Sequence, residues 1–116
     1  MNLLIVDDEY LVVEEVVTVT DWELLGITEI YSATNAVSAV RILNEKKIDI
    51  MICDIEMPQT DGLELSKKAK ENFPDLEIVM LTSHAEFNYV RNALRYGCYD
   101  YLLKPVMEDD IIKVMK

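Results

Sequence analysis

The sequence predicts an α/β fold in which five β-strands alternate with five α-helices around a single parallel sheet. Short apolar runs of strand length recur along the 116 residues, and each is followed by a segment with helical character. Continuous apolar strands of this kind are typical of parallel sheets that helices cover on both faces. The length fits one domain, spanning residues 1–116.

The first four elements lie between residues 3 and 46. Residues 3–6 form an apolar run that predicts a buried strand, and residues 10–19 follow with helical spacing. Residues 29–32 predict the second strand. The second helix spans residues 36–46, with Asn35 as its N-cap. Its expected apolar face is formed by Val37, Val40 and Leu43.

The middle of the chain repeats this pattern. Residues 50–53 predict a third apolar strand, and residues 62–72 predict a third helix. Pro74 ends that helix, because the residue before a proline disfavours helical geometry. Residues 77–81 predict the fourth strand.

The last third of the chain completes five β–α units. Residues 86–96 predict a fourth helix closed by Gly97, residues 101–103 a short fifth strand, and residues 108–115 a fifth helix. Of the two common doubly wound arrangements, five strands favour the flavodoxin-like one, with strand order 2-1-3-4-5. In such sheets ligands bind beyond the carboxyl ends of the strands, near the switch between strands 1 and 3.

Polar side chains that could bind a cation or take part in a reaction follow four of the predicted strands. They are Asp7 and Asp8 after strand 1, Asp54 after strand 3, Thr82 after strand 4 and Lys104 after strand 5. We expect them to converge at one edge of the sheet, with the ammonium of Lys104 paired to Asp54. Each alone has an ordinary explanation, such as a helix cap, a turn residue, a strand end or a surface lysine.

Convergence of three carboxylates favours a cation at this edge. Two carboxylates about 4 Å apart repel by roughly 4 kcal/mol at an effective dielectric of 20, and a whole domain is stable by only about 5–15 kcal/mol. Oxygen ligands suit Mg²⁺, whereas His84 is the single histidine and no zinc-binding cluster exists. A carboxylate nucleophile, a metal, a lysine and a hydroxyl are together the parts of a phosphoryl-transfer site.

The same residues lie in motifs that resemble the receiver domains of two-component response regulators, over essentially the whole chain. The motifs are Leu3-Leu4-Ile5-Val6-Asp7-Asp8-Glu9, Asp54-Ile55-Glu56-Met57-Pro58 with Asp61-Gly62, Leu81-Thr82-Ser83, and Tyr101-Leu102-Leu103-Lys104-Pro105. Any one of these motifs is weak evidence, but all of them in order on alternating strands and helices are highly specific.

The resemblance implies a phosphoacceptor and a metal site. Asp54 is the expected phosphoacceptor, taking a phosphoryl group from the phosphohistidine of a sensor histidine kinase. The expected Mg²⁺ ligands are Asp7, Asp8, Asp54 and the backbone carbonyl of Glu56. Within such domains the position of Asp8 usually binds the metal directly, and that of Asp7 often acts through water. Self-phosphorylation and self-dephosphorylation are then the only reactions, so we expect a switch and no enzyme.

The resemblance also implies how phosphorylation is read. Lys104 is expected to contact the phosphoryl group, across a cis peptide bond to Pro105. Thr82 and Tyr101 resemble a switch pair, in which the hydroxyl moves toward the phosphoryl group and the aromatic ring turns inward. The face formed by the fourth helix, the fifth strand and the fifth helix then changes its preference for partners. A half-buried core position is the alternative for Tyr101.

Two further positions are expected to tune how long the phosphoryl group lasts. In the family, the residues at Glu56 and His84 flank the path of the attacking water. An ordinary solvated loop position is the alternative for His84.

The segment Asp21-Trp22-Glu23-Leu24-Leu25-Gly26-Ile27 resembles the one after the first helix in regulators with a C-terminal AraC-type helix-turn-helix output domain. It implies that the full-length protein controls transcription through its own C-terminal DNA-binding domain, which these 116 residues do not include. Packing of Trp22 beneath its own loop is a structural explanation for this segment, and it is compatible with the resemblance to AraC-type regulators.

Charge and hydropathy exclude several functions for this domain. Its net charge of −11 repels nucleic acid, so DNA contact falls to another domain. The apolar runs fall far short of the roughly 20 residues of a membrane span, and no signal-peptide pattern is visible, so we expect a cytoplasmic protein without membrane contact. Cys53 and Cys98 match no disulfide or metal pattern, and Cys53 is expected to be a buried free thiol.

The oligomeric state stays open at this level. Four charged residues on or near the expected output face would pair across a homodimer or simply face solvent: Arg91, Arg95, Asp100 and Asp109.

Three other functions fit the sequence less well. A haloacid-dehalogenase-like phosphatase also uses an aspartyl nucleophile and Mg²⁺, but it requires a second aspartate two positions later on the first strand, whereas Glu56 follows Asp54 on the third. A flavodoxin-like binder requires a Ser/Thr/Gly-rich phosphate loop after strand 1, where Asp7 and Asp8 would repel phosphate. A pseudo-receiver that keeps the fold for protein interactions remains the third alternative, although every key position is filled.

Overall fold

The computed structural model describes residues 1–57, 60–82 and 100–115, and it confirms the predicted parallel sheet. Five strands form the sheet: β1 (Asn2–Val6), β2 (Glu29–Ala33), β3 (Ile50–Asp54), β4 (Glu77–Thr82) and β5 (Asp100–Leu103). Their order is β2-β1-β3-β4-β5, and every neighbouring pair is parallel. Each predicted strand end is correct to within one residue.

Four α-helices accompany these strands in the described part of the chain: α1 (Tyr10–Thr18), α2 (Ala36–Glu45), α3 (Gly62–Asn72) and the C-terminal helix (Glu108–Met115). Each was predicted, and α3 ends two residues before Pro74. The predicted fourth helix at residues 86–96 and its closing Gly97 lie outside the described residues. Among the residues that are described, no helix has both the length and the apolar character that a bilayer crossing requires.

The helices create an apolar core on each face of the sheet. One core lies under α2 and α3 and includes Leu43 and Leu65, and the other lies under α1 and the C-terminal helix and includes Val16 and Ile111. Residues 50–54 of the central strand β3 are therefore all buried, whereas the edge strand β2 is only partly covered. Burying one such aliphatic side chain contributes about 1.5–3 kcal/mol. Cys53 is buried in the first core and forms no disulfide within the described part of the chain, as expected, and Cys98 lies outside the described residues.

The prediction for the apolar face of α2 was partly wrong. Leu43 is buried together with Ala39, but Val37 and Val40 are 72% and 44% exposed. The side chains at positions 39 and 43 are one helical turn apart, and Val37 lies roughly 120° around the helix from Leu43. The apolar residues therefore cover a wider arc of the helix than the part that contacts the sheet.

Two short elements were not predicted. Residues Trp22–Leu25 form a 3₁₀ turn, and Glu56–Met57 pairs antiparallel with Thr60–Asp61 in a small hairpin. Neither is long enough to show a period in the sequence.

Trp22 packs beneath its loop, as the structural explanation anticipated. It is buried, and its indole Nε1–H donates to the carbonyl of Val16 at 3.0 Å. The turn closes at Gly26, whose φ of 90° is the left-handed conformation that glycine adopts without strain. The amide of Gly26 donates to the carbonyl of Glu23 at 3.1 Å.

The start of α2 provides a test of local stability. The side chain of Asn35 accepts a hydrogen bond from the amide of Ser38 at 2.8 Å, which confirms the predicted N-cap. We expect Asn35→Ala to lower the free energy of unfolding by about 1 kcal/mol, measured by urea denaturation. Asn35→Asp keeps an acceptor at this position and should be close to the wild type. Equal stability of the alanine variant and the wild type would show that this cap does not stabilise the domain.

Candidate functional site

The carboxyl edge of the sheet brings the three predicted aspartates and Lys104 together. Backbone hydrogen bonding continues one residue beyond three of the strands: the amide of Asp7 donates to Ala33 at 3.1 Å, that of Ile55 to Leu81 at 2.9 Å, and that of Lys104 to Thr82 at 2.8 Å. These bonds fix the backbone at and next to the candidate site residues. The positions of those side chains therefore follow from the sheet itself.

Asp7, Asp8 and Asp54 form an acidic cluster at this edge. One carboxylate oxygen from each lies within 4.8 Å of the others. Asp7 and Asp54 are almost completely buried, whereas Asp8 is exposed. Oxygen-only donors of this kind suit a hard cation such as Mg²⁺, and the mutual repulsion of buried carboxylates would be relieved by such an ion.

Both carboxylate oxygens of Asp7 have a neighbour. Its Oδ1 accepts a hydrogen bond from the amide of Glu9 at 2.9 Å. Its Oδ2 is buried without a hydrogen bond of good geometry, but the Nζ of Lys104 lies 2.9 Å away. The role of the Glu9 amide could not be predicted from the sequence, because every residue except proline has a backbone N–H.

Lys104 contacts two carboxylates of this cluster through its ammonium group. Its Nζ lies 3.5 Å from Oδ2 of Asp54, so the predicted pair is present, but Asp7 is the nearer carboxylate. Burial lowers the pKa of Lys104, but the contact with Asp7 and the charges of Asp54 and Asp7 outweigh it. The pKa therefore lies above its ordinary value of 10.5. The peptide bond between Lys104 and Pro105 is cis, as expected.

The remaining predicted residues occupy different surroundings. Thr82 is fully buried at the end of β4, and Tyr101 on the neighbouring strand β5 is 38% exposed. Glu56 begins the small hairpin, two residues after Asp54. His84, together with the motif residues Pro58 and Ser83, lies outside the described residues.

Comparison with known proteins identifies relatives over nearly the whole chain. The family model described as the response regulator receiver domain matches residues 3–116. The uncharacterized transcriptional regulatory protein YesN of Bacillus subtilis is 36% identical over 99% of this chain and 31% of its own length. The transcriptional regulatory protein MalR of the same organism is 33% identical over 90% of this chain and 44% of its own. The chain thus spans about a third to a half of the length of such relatives.

Solved structures show the same fold. The REC domain of AraT, a response regulator from Geobacillus stearothermophilus, has a TM-score of 0.89 and 31% identity, covering 98% of this chain and 88% of that one. A two-component transcriptional regulator AraC from Clostridium phytofermentans has a TM-score of 0.90 and 25% identity, covering 100% and 90%.

The raised pKa of Lys104 predicts a pH-dependent contribution to stability. A lysine whose pKa is higher in the folded state stabilises the fold below the unfolded-state value, and this stabilisation is lost as the pH rises through the folded-state value. We expect Lys104→Met to cost about 2 kcal/mol at neutral pH in EDTA, less than the roughly 3–5 kcal/mol of a fully buried pair.

The difference between wild type and Lys104→Met should stay constant up to about pH 10 and shrink above 10.5, measured by urea denaturation at stepped pH. A difference that falls between pH 7 and 9 would contradict the raised pKa.

Proposed function

Because this chain belongs to the response regulator receiver domain family, we propose that it is a phosphorylation-dependent switch that accepts a phosphoryl group on Asp54 with the help of Mg²⁺. The observation that carries the proposal is the convergence of Asp54 with Asp7, Asp8 and Lys104 at the carboxyl edge of the sheet. Membership of the family implies phosphorylation-dependent signalling. The convergence of these four side chains supports their assignment to the phosphorylation site.

The acidic cluster is the proposed Mg²⁺ site. Asp8 would bind the metal directly, because it is exposed and none of the residues that the structure describes forms a hydrogen bond or ion pair with its side chain. Asp7 would act through water, since both of its oxygens already have neighbours. Asp54 and the backbone carbonyl of Glu56 would complete the protein ligands. The metal would neutralise charge on the phosphoryl oxygens during transfer.

Asp54 is the proposed nucleophile. One of its carboxylate oxygens would form a bond to phosphorus as the bond to the histidine nitrogen of the kinase breaks, which leaves the imidazole with the electron pair. The charge at Asp54 would change from −1 to nearly −2. Lys104, 3.5 Å from Asp54, is placed to offset this charge, and the hydroxyl of Thr82 would donate to a phosphoryl oxygen.

The added charge would shift a conformational equilibrium at the opposite side of β4 from the metal. Thr82 ends β4, and Tyr101 lies on the adjacent strand β5, partly exposed. Movement of the Thr82 hydroxyl toward the phosphoryl group would leave room for the Tyr101 ring to turn inward. The surface formed by the predicted fourth helix, β5 and the C-terminal helix would then change its partners.

The proposed partners are a sensor histidine kinase in the cytoplasm and a C-terminal DNA-binding domain of the full-length protein. Relatives named as transcriptional regulatory proteins are longer than this chain, which supports an output domain. An AraC-type output is supported by the segment at residues 21–27 and by the name of the Clostridium phytofermentans regulator. A homodimer stays a prediction: Asp100 and Asp109 are described near this surface, whereas Arg91 and Arg95 lie outside the described residues.

Phosphorylation of Asp54 is directly testable. We expect acetyl phosphate with Mg²⁺ to add one phosphoryl group to the domain, detected by intact mass, and EDTA to prevent it. Asp54→Asn should abolish the modification. Asp75→Asn, which removes an exposed aspartate between α3 and β4, is the matched control and should be modified like the wild type.

The other outcomes separate the alternatives. Modification that persists in Asp54→Asn would place the phosphoacceptor elsewhere. No modification, and no binding of beryllofluoride, would favour a pseudo-receiver. Steady release of phosphate from small phosphate esters would favour a phosphatase.

The coupling between Thr82 and Tyr101 gives a second test. With fluorotyrosine incorporated and the Tyr101 signal assigned through Tyr101→Phe, beryllofluoride should shift that ¹⁹F resonance in the wild type. Thr82→Ala should still bind beryllofluoride but lose the shift, because the ring responds to the hydroxyl. Thr82→Ser keeps the hydroxyl and should retain it. A full shift in Thr82→Ala would show that Tyr101 responds by another route.

A further inference from the structure

The contact between Lys104 and Asp7 assigns the lysine a second task. Asp7 is 0% exposed, and its Oδ2 accepts no hydrogen bond of good geometry from any described group. A buried carboxylate in that situation destabilises the fold unless a positive charge is close. The Nζ of Lys104 supplies that charge at 2.9 Å, and it reaches Asp54 at 3.5 Å.

These are two of the three carboxylates that form the acidic cluster. A divalent ion bound to the cluster would interact with the same carboxylates, Asp7 and Asp54, that attract the ammonium of Lys104 in the metal-free site. The ammonium and the metal ion would also repel each other at short range, in a site where burial weakens solvent screening. Lys104 contacts this cluster directly, whereas Lys68 pairs with Glu64 on the exposed surface of α3.

We propose that Lys104 is the built-in counter-ion of the metal-free site, that it competes with the divalent cation for Asp7 and Asp54, and that it thereby sets the Mg²⁺ concentration at which the site fills. This inference rests on the proposed function, because it requires the acidic cluster to be the metal site. It goes further, since it assigns Lys104 an effect before any phosphoryl group arrives.

Thermodynamic linkage makes the competition reciprocal. If the lysine weakens metal binding by some factor, the metal weakens the contact between Lys104 and the carboxylates by the same factor. Metal binding therefore loosens Lys104 from Asp7 and leaves its ammonium available to an incoming phosphoryl oxygen. The resting site is stable without metal, and the filled site is ready for phosphoryl transfer.

Isothermal titration of the domain with MgCl₂ at fixed ionic strength and pH 7.5 tests the competition. The neutral variants Lys104→Met and Lys104→Gln should bind Mg²⁺ roughly tenfold more tightly than the wild type, a change of about 1.4 kcal/mol. Lys104→Gln keeps a hydrogen-bond donor beside Asp7, so it is expected to fold even if the methionine variant does not. Lys104→Arg keeps the charge and should stay near the wild-type affinity.

The matched control is Lys68→Met. It makes the same substitution, and the same change in net charge, at a side chain that is 70% exposed. It should leave the Mg²⁺ affinity within about twofold of the wild type, because a charge surrounded by water interacts only weakly with other groups.

Thermal unfolding gives a readout that does not depend on the binding titration. In EDTA, Lys104→Met and Lys104→Gln should melt below the wild type, because buried carboxylates lose their counter-ion. In saturating Mg²⁺ the difference should shrink, since the metal replaces that charge.

Unchanged or weaker Mg²⁺ binding in both neutral variants would overturn the inference and leave the proposed metal site intact. An equal gain in Lys68→Met would overturn it too, because the effect would then belong to net charge. If neither the wild type nor any variant bound Mg²⁺, both the inference and the proposed metal site would fail.

Discussion

The ion pairing of two buried carboxylates with one lysine is the interaction on which the rest of this site depends. Asp7 and Asp54 lie next to each other because β1 and β3 are neighbours at the centre of the sheet, where helices cover both faces. Each buried ion costs several kcal/mol in lost hydration, so the sheet tolerates them only with compensating charge. The fold supplies it from β5, two strands away from β3, through the long side chain of Lys104.

That constraint also explains why the site suits a switch. Without metal, three carboxylates and one lysine already leave the cluster with excess negative charge, and a phosphoryl group would increase this imbalance by nearly one more negative charge. The imbalance arises at the ends of four parallel strands that are hydrogen-bonded to each other. A rigid sheet favours discrete rearrangements of side chains at its edge over gradual deformation.

Much of this arrangement could be predicted from sequence, for identifiable reasons. β1 and β3 are covered on both faces, so their residues are apolar without interruption, and the polar residue that ends each run marks the edge of the sheet. The face of α2 was less predictable, because Val37 and Val40 are apolar side chains that the sheet does not cover. The preference of Lys104 for Asp7 was not predictable either, since a difference of 0.6 Å between two ion pairs depends on side-chain placement across three strands.

β5 belongs to two parts of the molecule at once. It carries Tyr101 on the proposed output surface. Its last residue, Leu103, is followed directly by Lys104 of the acidic site. The amide of Lys104 donates a hydrogen bond to the carbonyl of Thr82. A shift of the β5 backbone would therefore affect both Lys104 and Thr82. If Lys104 sets the Mg²⁺ affinity and β5 forms part of the output surface, as proposed, adaptation of this domain to a different ionic environment and adaptation to a different partner would not be separable traits. A lineage that changed one would be under selection to readjust the other through the same four-residue strand.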